Sequence, residues 1–120
     1  MPTAKADNEV PVVLEPDSTP GHPGHAVPKL PPNGMQLGET VHYFSNDGDV
    51  IVVFLDNGSP FRDSNDNEIR AVTSASPPLK LVKPNTNPGF ICKCFITPPS
   101  GRTVGWSPNS LQSGGNHVVR

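Results

Sequence analysis

The residues of this chain whose type and spacing best suit chemistry are two cysteines. Cys92 and Cys94 are separated by one residue in the stretch PGFICKCFITPP. In an extended strand, side chains at positions i and i+2 lie on the same face, so both thiols point the same way and Lys93 points to the other side. Such a pair can supply two thiolates to zinc or copper. His42 and His117, each in a predicted strand, are the candidates for the remaining ligands.

The same pattern also fits a hydrophobic core strand. Free cysteine is among the most buried residue types, and FICKCFI is apolar on both faces, which is typical of a central strand. The chain has no CxxC and no HxxxH pair, the spacings of thiol redox centres and zinc fingers. A disulfide between positions i and i+2 would need a Cα separation near its upper limit. We therefore expect two core thiols and no cofactor, with the metal site as the alternative.

Other motifs indicate little chemistry. GHPGH places His22 and His25 in a proline-rich segment, where two imidazoles make at most a weak copper or nickel site. DSNDNE, which starts at Asp63, begins like a calcium-binding loop but lacks the Gly and Glu that the pattern requires. There is no GxSxG elbow, HExxH motif or P-loop. We predict that the protein is not an enzyme.

Charge and hydropathy exclude several partners. The formal net charge is −2, charged residues make up 17%, and no basic run is present, so we expect no binding to nucleic acid. No apolar run approaches the roughly 20 residues that span a bilayer. The N-terminus lacks the charged head and apolar region of a signal peptide, which indicates a cytoplasmic protein unless a signal was removed.

Proline divides the chain into two predicted regions. Of 120 residues, 16 are proline, more than twice the usual share of about 5%. Prolines recur every few residues in the first part of the chain, where they block helix and favour extended structure. We predict an extended Pro-rich arm or linker over residues 1–36 and a β domain over residues 37–120.

The domain is predicted to contain about seven short strands separated by Gly- and Pro-rich turns. ETVHYFS and VIVVFL flank the turn signal NDGD and are predicted to pair as a hairpin, 40–45 with 50–55. VIVVFL is continuous and β-branched, which is typical of a strand buried on both faces. The other predicted strands are 69–73, 79–82, 90–96, 103–106 and 117–120. Short strands at this spacing predict an all-β sandwich or barrel.

Residues 37–120 resemble the cupredoxin family. The stretch GETVHYFSNDG, from Gly38, is similar to an early strand pair of that family, PGFICKC to its copper-cysteine strand, and GGNHVV to its closing strand. The resemblance implies a small Greek-key β-sandwich, cupredoxin-like or otherwise Ig-like. After Cys94, however, FITPP contains neither the His nor the Met with which copper cupredoxins complete their site. The resemblance therefore implies the fold without a type 1 copper centre.

These observations favour a non-catalytic binding or structural module. Loops and edge strands would contact a protein partner or a second copy, with the arm laid on the neighbour. The alternative is a metal-binding cupredoxin relative that holds copper or zinc with Cys92, Cys94, His42 and His117.

Overall fold

The chain forms two packed β-sheets. The structure, a computed structural model, describes residues 6–15, 25–97 and 115–120. The strands are β1 (Asn8–Glu15), β2 (His25–Pro28), β3 (Thr40–Phe44), β4 (Asp49–Phe54), β5 (Ala71–Thr73), β6 (Leu79–Lys80), β7 (Asn85–Thr97) and β8 (Gly115–Val119). The first sheet has the order β2-β1-β3-β6 and the second the order β5-β4-β7-β8. The prediction of an all-β sandwich is confirmed. Among these residues no helix is long and apolar enough to cross a membrane.

The thiol strand is central to the second sheet. β7 runs for 13 residues and pairs antiparallel with β4 on one side and β8 on the other. Alternate side chains of all three strands point into the space between the sheets. The resulting core of the second sheet is built from residues that are at most 5% exposed: Val50, Val52, Phe54, Phe90, Cys92, Cys94, Ile96, His117 and Val119. The prediction of a core strand over 90–96 is therefore confirmed.

The predicted hairpin of 40–45 with 50–55 is wrong. β3 pairs with β1 and β6 in the first sheet, whereas β4 pairs with β5 and β7 in the second. The NDGD turn carries the chain from one sheet to the other. Turn residues and apolar alternation show where strands begin and end, but two strands can both bury an apolar face against the same core without pairing to each other.

The prediction that VIVVFL is buried on both faces is also wrong. Val50, Val52 and Phe54 are at most 2% exposed, but Ile51, on the other side of β4, is 39% exposed. One face of the second sheet packs on the core and the other meets solvent, as antiparallel sheets allow. Ile51 is therefore an apolar side chain on the surface that does not contribute to the core.

The described part of residues 1–36, the predicted arm, contributes half of the first sheet. β1 lies between β2, antiparallel, and β3, parallel. Val10 and Val12 of β1 are each 1% exposed and belong to the core, as does Ala26 of β2 at 0%. Pro28 fits this arrangement because an edge position needs no ladder hydrogen bond from the proline nitrogen, whereas Pro11 lies in β1, inside the sheet. Pro28 ends β2 at the edge of the sheet.

Two predicted strands are shorter in the structure, and a third is not tested. The strand predicted at 69–73 is Ala71–Thr73, and the one predicted at 79–82 is Leu79–Lys80. The predicted strand 103–106 lies outside the described residues.

On the outer side of β8, Met35 forms a parallel bridge with Val119. Each sheet edge is thus either very short or partly paired, which is how natural sheets limit edge-to-edge association.

Candidate functional site

Three of the four predicted metal ligands meet in the core. Cys92 and Cys94 project inward from β7, and His117 projects inward from β8. Cys92 lies opposite Phe54 in the β4–β7 ladder, and His117 lies opposite Phe90 in the β7–β8 ladder. The exposed fractions of the three residues are 2% or less. Strand alternation, which the sequence showed for the two thiols, also places His117 on their side of the sheet.

His42 does not join them. Val41 and Tyr43 of β3 point into the core, so the His42 side chain between them points away from it. Its Nδ1 lies 2.9 Å from Oε2 of Glu9 and its Nε2 lies 3.0 Å from the carbonyl oxygen of Ser74. The Glu9 carboxylate and the Ser74 carbonyl can only accept hydrogen bonds, so an imidazole protonated on both nitrogens satisfies both contacts. The hydrogen bond to Glu9 raises the pKa of His42, although partial burial opposes the shift.

Tyr43 lies next to His117, a contact that the sequence analysis did not predict. Its hydroxyl oxygen lies 2.7 Å from Nε2 of His117, and the contact spans the core from the first sheet to the second. Phe54 packs its edge against the imidazole, with ring centroids 5.1 Å apart. The alternation in TVHYF puts Tyr43 on the same side as Val41. Only the packing of the two sheets against each other shows that this side of β3 faces His117.

The other nitrogen of His117 is unsatisfied. Nδ1 is buried and makes no hydrogen bond with any of the residues that the structure describes. A buried polar atom without a partner costs about 1–3 kcal/mol, and natural proteins keep few of them. The hydrogen bond of Nε2 with Tyr43 therefore helps to hold this imidazole in the core.

The two thiols differ in acidity. The hydrogen bond from Cys94 lowers the pKa of Cys92 most, burial opposes that shift, and the imidazole of His117 and the backbone of Gly115 lower it further. The same hydrogen bond, together with burial, raises the pKa of Cys94. Burial also raises the pKa of Tyr43 well above 10, so its hydroxyl stays neutral. The contacts with Cys94, His117 and Gly115 thus favour Cys92 as the more acidic of the two thiols.

We expect Tyr43→Phe and His117→Leu each to lower the free energy of unfolding by about 1–3 kcal/mol, because each leaves the other side chain without its buried partner. The double variant should cost less than the sum of the two, since removal of both polar groups leaves no unpaired hydroxyl or Nε2. Urea unfolding of the four proteins gives the coupling energy. Additive losses would show that the contact between the sheets contributes nothing.

The remaining cation motifs do not form a site. The Asp63 carboxylate accepts hydrogen bonds from the backbone nitrogens of Asn65 and Asn67, at 2.8 and 2.9 Å, which closes the loop as an Asx turn and lowers the pKa of Asp63. His22 lies outside the described residues. Within residues 6–15, 25–97 and 115–120, no group of three or more His, Cys, Asp or Glu side chains is arranged to hold a metal ion.

No protein-family model, curated protein or solved structure matches this chain. The resemblance to cupredoxins therefore stays a prediction.

A second candidate site lies on the outer side of the second sheet. We call it the β4–β7 face and define it by the outward residues of the two strands, Asp49, Ile51, Val53, Ile91, Lys93, Phe95 and Thr97. Ile51 and Ile91 are 39% and 38% exposed, and Val53, Lys93 and Phe95 are half-buried. A shallow groove of about 370 Å³ opens at one end of the face, beside Asp49, Ile51 and Thr73. Exposed apolar side chains such as Ile51 and Ile91 are typical of a surface that another molecule covers.

Proposed function

We propose that this protein is a non-catalytic binding or assembly module that contacts a protein partner through the β4–β7 face. The observation that carries the proposal is the apolar character of both sides of β4 and β7. Val50 and Val52 face the core, while Ile51 and Ile91 face outward with more than a third of their surface exposed. An isolated domain of this kind usually alternates apolar and polar residues. A partner that covers the face would bury these side chains.

The short or already paired sheet edges favour the β4–β7 face as the contact surface. β5 and β6 have three and two residues, too few to template an added strand. The outer edge of β8 already exchanges hydrogen bonds with Met35, whose nitrogen donates to the carbonyl of Val118 at 2.9 Å. The edges at β5, β6 and β8 therefore offer less continuous surface than the outward side chains of β4 and β7.

Burial of the thiols supports a non-catalytic role. Cys92, Cys94 and His117, the thiols and imidazole that the structure brings together, have exposed fractions of 2% or less. A substrate atom must come within hydrogen-bond reach of a catalytic group. Here the two sheets would have to separate before a substrate could reach the Cys92 sulfur.

Site-specific photocrosslinking in the cells that make the protein tests the proposal. A benzophenone amino acid replaces Ile51 in one variant and Lys80, exposed on β6 of the first sheet, in the control. We expect ultraviolet light to give a covalent protein adduct at position 51, with the joined residues of both partners identified by mass spectrometry, and little at position 80. Equal adduct formation at both positions, or none at position 51, would overturn the proposal.

A second candidate function, soft-metal binding by Cys92 and Cys94, is favoured by one observation. The Nδ1 atom of His117 has no hydrogen-bond partner among the described residues, and the His117 side chain is one of the groups that lower the pKa of Cys92. Thiolates select Cu(I) and zinc, and Nε2 bonded to Tyr43 would orient the ring as outer groups orient metal-bound histidines. His42, engaged with Glu9 and Ser74, is not part of this set. Stoichiometric copper or zinc in untagged protein, lost in Cys94→Ser, would support metal binding, and metal-free protein would exclude it.

A further inference from the structure

We propose that the protonation of His42 regulates the first sheet: the protonated ring fastens β1 to β3, and loss of the proton makes this strand pair open more often. The inference goes beyond the proposed function, because it concerns the first sheet and not the β4–β7 face of the second. We call the contacts of the His42 ring with Glu9 and Ser74 the His42 link.

The His42 link joins three segments that are far apart in the chain. The ring extends from β3, and its Nδ1 lies 2.9 Å from Oε2 of Glu9 on β1. Its Nε2 lies 3.0 Å from the carbonyl oxygen of Ser74, in the turn that follows β5 of the second sheet. An imidazolium donates to both acceptors, whereas a neutral imidazole has a single N–H and turns a lone pair towards one of them. The link is therefore complete only while His42 is protonated.

Glu9 is the charged group that faces His42 from β1. The two residues are direct partners in the β1–β3 register, and the side chains of His42 and Glu9 are 27% and 40% exposed. The hydrogen bond with Glu9 raises the pKa of His42 most, partial burial opposes the shift, and the Ser74 carbonyl and the Glu9 charge add to it. The geometry and the acidity of the ring thus indicate the same protonated state.

The other charged residues on the elements around β3 lie elsewhere or make contacts of their own. The Asp7 carboxylate accepts hydrogen bonds from the backbone nitrogen and the hydroxyl of Thr40. Glu15 lies at the far end of β1, and Asp49 of β4 projects from the outer side of the second sheet. Lys80 of β6 is exposed, and its backbone pairs with Thr40. The ionic contact of the ring is therefore the one with Glu9.

The raised pKa of His42 sets the direction of the pH effect. When the strand pair opens, the ring returns to water, where the ordinary pKa of histidine is about 6.5. The stabilisation from the His42 link is therefore fully present below about pH 6.5 and is lost as the pH rises through the higher pKa of the closed protein. The first sheet should be closed most firmly in an acidic medium.

The ladder between β1 and β3 is short, which makes one side-chain link significant. The two strands align over four residue pairs, from Asn8 with Val41 to Pro11 with Phe44. Parallel pairs are slightly less stable per residue than antiparallel ones, and Pro11 has no N–H to donate. Val10, 1% exposed, still anchors β1 in the core. Loss of the proton should therefore change how often the pair opens and leave the closed state in the majority.

Two measurements on the full chain test the inference. NMR titration of the His42 ring should give a pKa above 6.5 in the native chain and a value closer to 6.5 in Glu9→Gln. Hydrogen exchange of the β1 amides, corrected for the intrinsic effect of pH, reports how often the strand opens. Between about pH 6 and about pH 9 we expect this frequency to rise about twofold to fivefold, the size typical of a partly exposed ion pair.

Two further variants separate His42 from other groups that titrate in the same range. His42→Gln has no ring proton to lose, so its β1 amides should show a smaller rise than those of the native chain. Lys29→Gln removes the 2.9 Å ion pair of Lys29 with Glu15, at the other end of β1, and should keep the full rise.

Two results would overturn the inference. A pKa of His42 at or below 6.5 in the native chain would show that the imidazolium contact with Glu9 does not form. An equal rise in the native chain and in His42→Gln would show that another group controls the opening. Neither result bears on the β4–β7 face, which the photocrosslink from position 51 tests separately.

Discussion

A chain that begins at Met35 is expected not to fold cooperatively. It lacks β1 and β2, and so loses Val10 and Val12, each 1% exposed, from the core. Burial of a Val side chain contributes about 1.5–3 kcal/mol, and a domain has only about 5–15 kcal/mol in total. The loss also exposes Tyr43, which is fully buried in the intact chain, at a new sheet edge. Near-ultraviolet circular dichroism and thermal unfolding measure the effect, which should be loss of the cooperative transition.

Two companion experiments make this result specific. A chain that begins at Ala6 keeps every described residue and should unfold as the full chain does. A peptide of residues 6–34, added to the chain that begins at Met35, should restore the cooperative transition by supplying both strands. A chain from Met35 that unfolds cooperatively on its own would show that residues 1–34 are an appendage, as the proline content predicts.

Gly89→Ala is expected to destabilise the protein by about 3 kcal/mol or more. Gly89 has a φ of +107°, which L side chains rarely adopt, and the strain of a Cβ at such a position costs about 1–3 kcal/mol. The added Cβ would also overlap Oδ1 of Asn116 and lie 2.7 Å from the carbonyl oxygen of His117. That oxygen belongs to the backbone of β8 and cannot turn away. The melting temperature should fall by about 12 °C or more.

Gly38→Ala is the matched control for this prediction. Gly38 also has a positive φ, +91°, but a Cβ there would meet no atom within 4 Å. Gly38→Ala should therefore lose stability only through the backbone strain of a Cβ at this φ, about 1–3 kcal/mol. The difference between the two variants isolates the contact between β7 and β8 beside His117. Equal losses at both positions would show that the strand pair adapts to the extra carbon without cost.

The two candidate sites lie on opposite sides of the same strand. Cys92 and Cys94 point into the core, while Ile91, Lys93 and Phe95 point outward on the β4–β7 face. A partner bound to the face would therefore press on the backbone that positions the thiols. If a partner covers the β4–β7 face, the reactivity of Cys92 toward a thiol reagent should fall when that partner binds, because opening of the sheet becomes less frequent.

Much of the second sheet was predictable from local patterns. FICKCFI and VIVVFL are rich in β-branched and aromatic residues, and the structure places both in adjacent strands. The shared side of Cys92 and Cys94 followed from a period of two. The role of Tyr43 was not predictable, because its contact with His117 joins residues 74 positions apart on different sheets. The first two strands were missed since frequent prolines outweighed the short apolar runs around Val12.

By itself, the sequence determined the β class, the short strands between Gly- and Pro-rich turns, and the face on which each side chain lies. These properties are local, because backbone sterics and strand alternation act over a few residues. Only the tertiary structure decided which strands pair, that NDGD crosses between the sheets and that β1 enters the first sheet. It also decided that His117 lies in the core while His42 lies outside it. Pairing is decided by which apolar faces can close over a common core, and that choice depends on residues far apart in the chain. The same choice leaves Ile51 and Ile91 outside the core, on the surface where we propose that a protein partner binds.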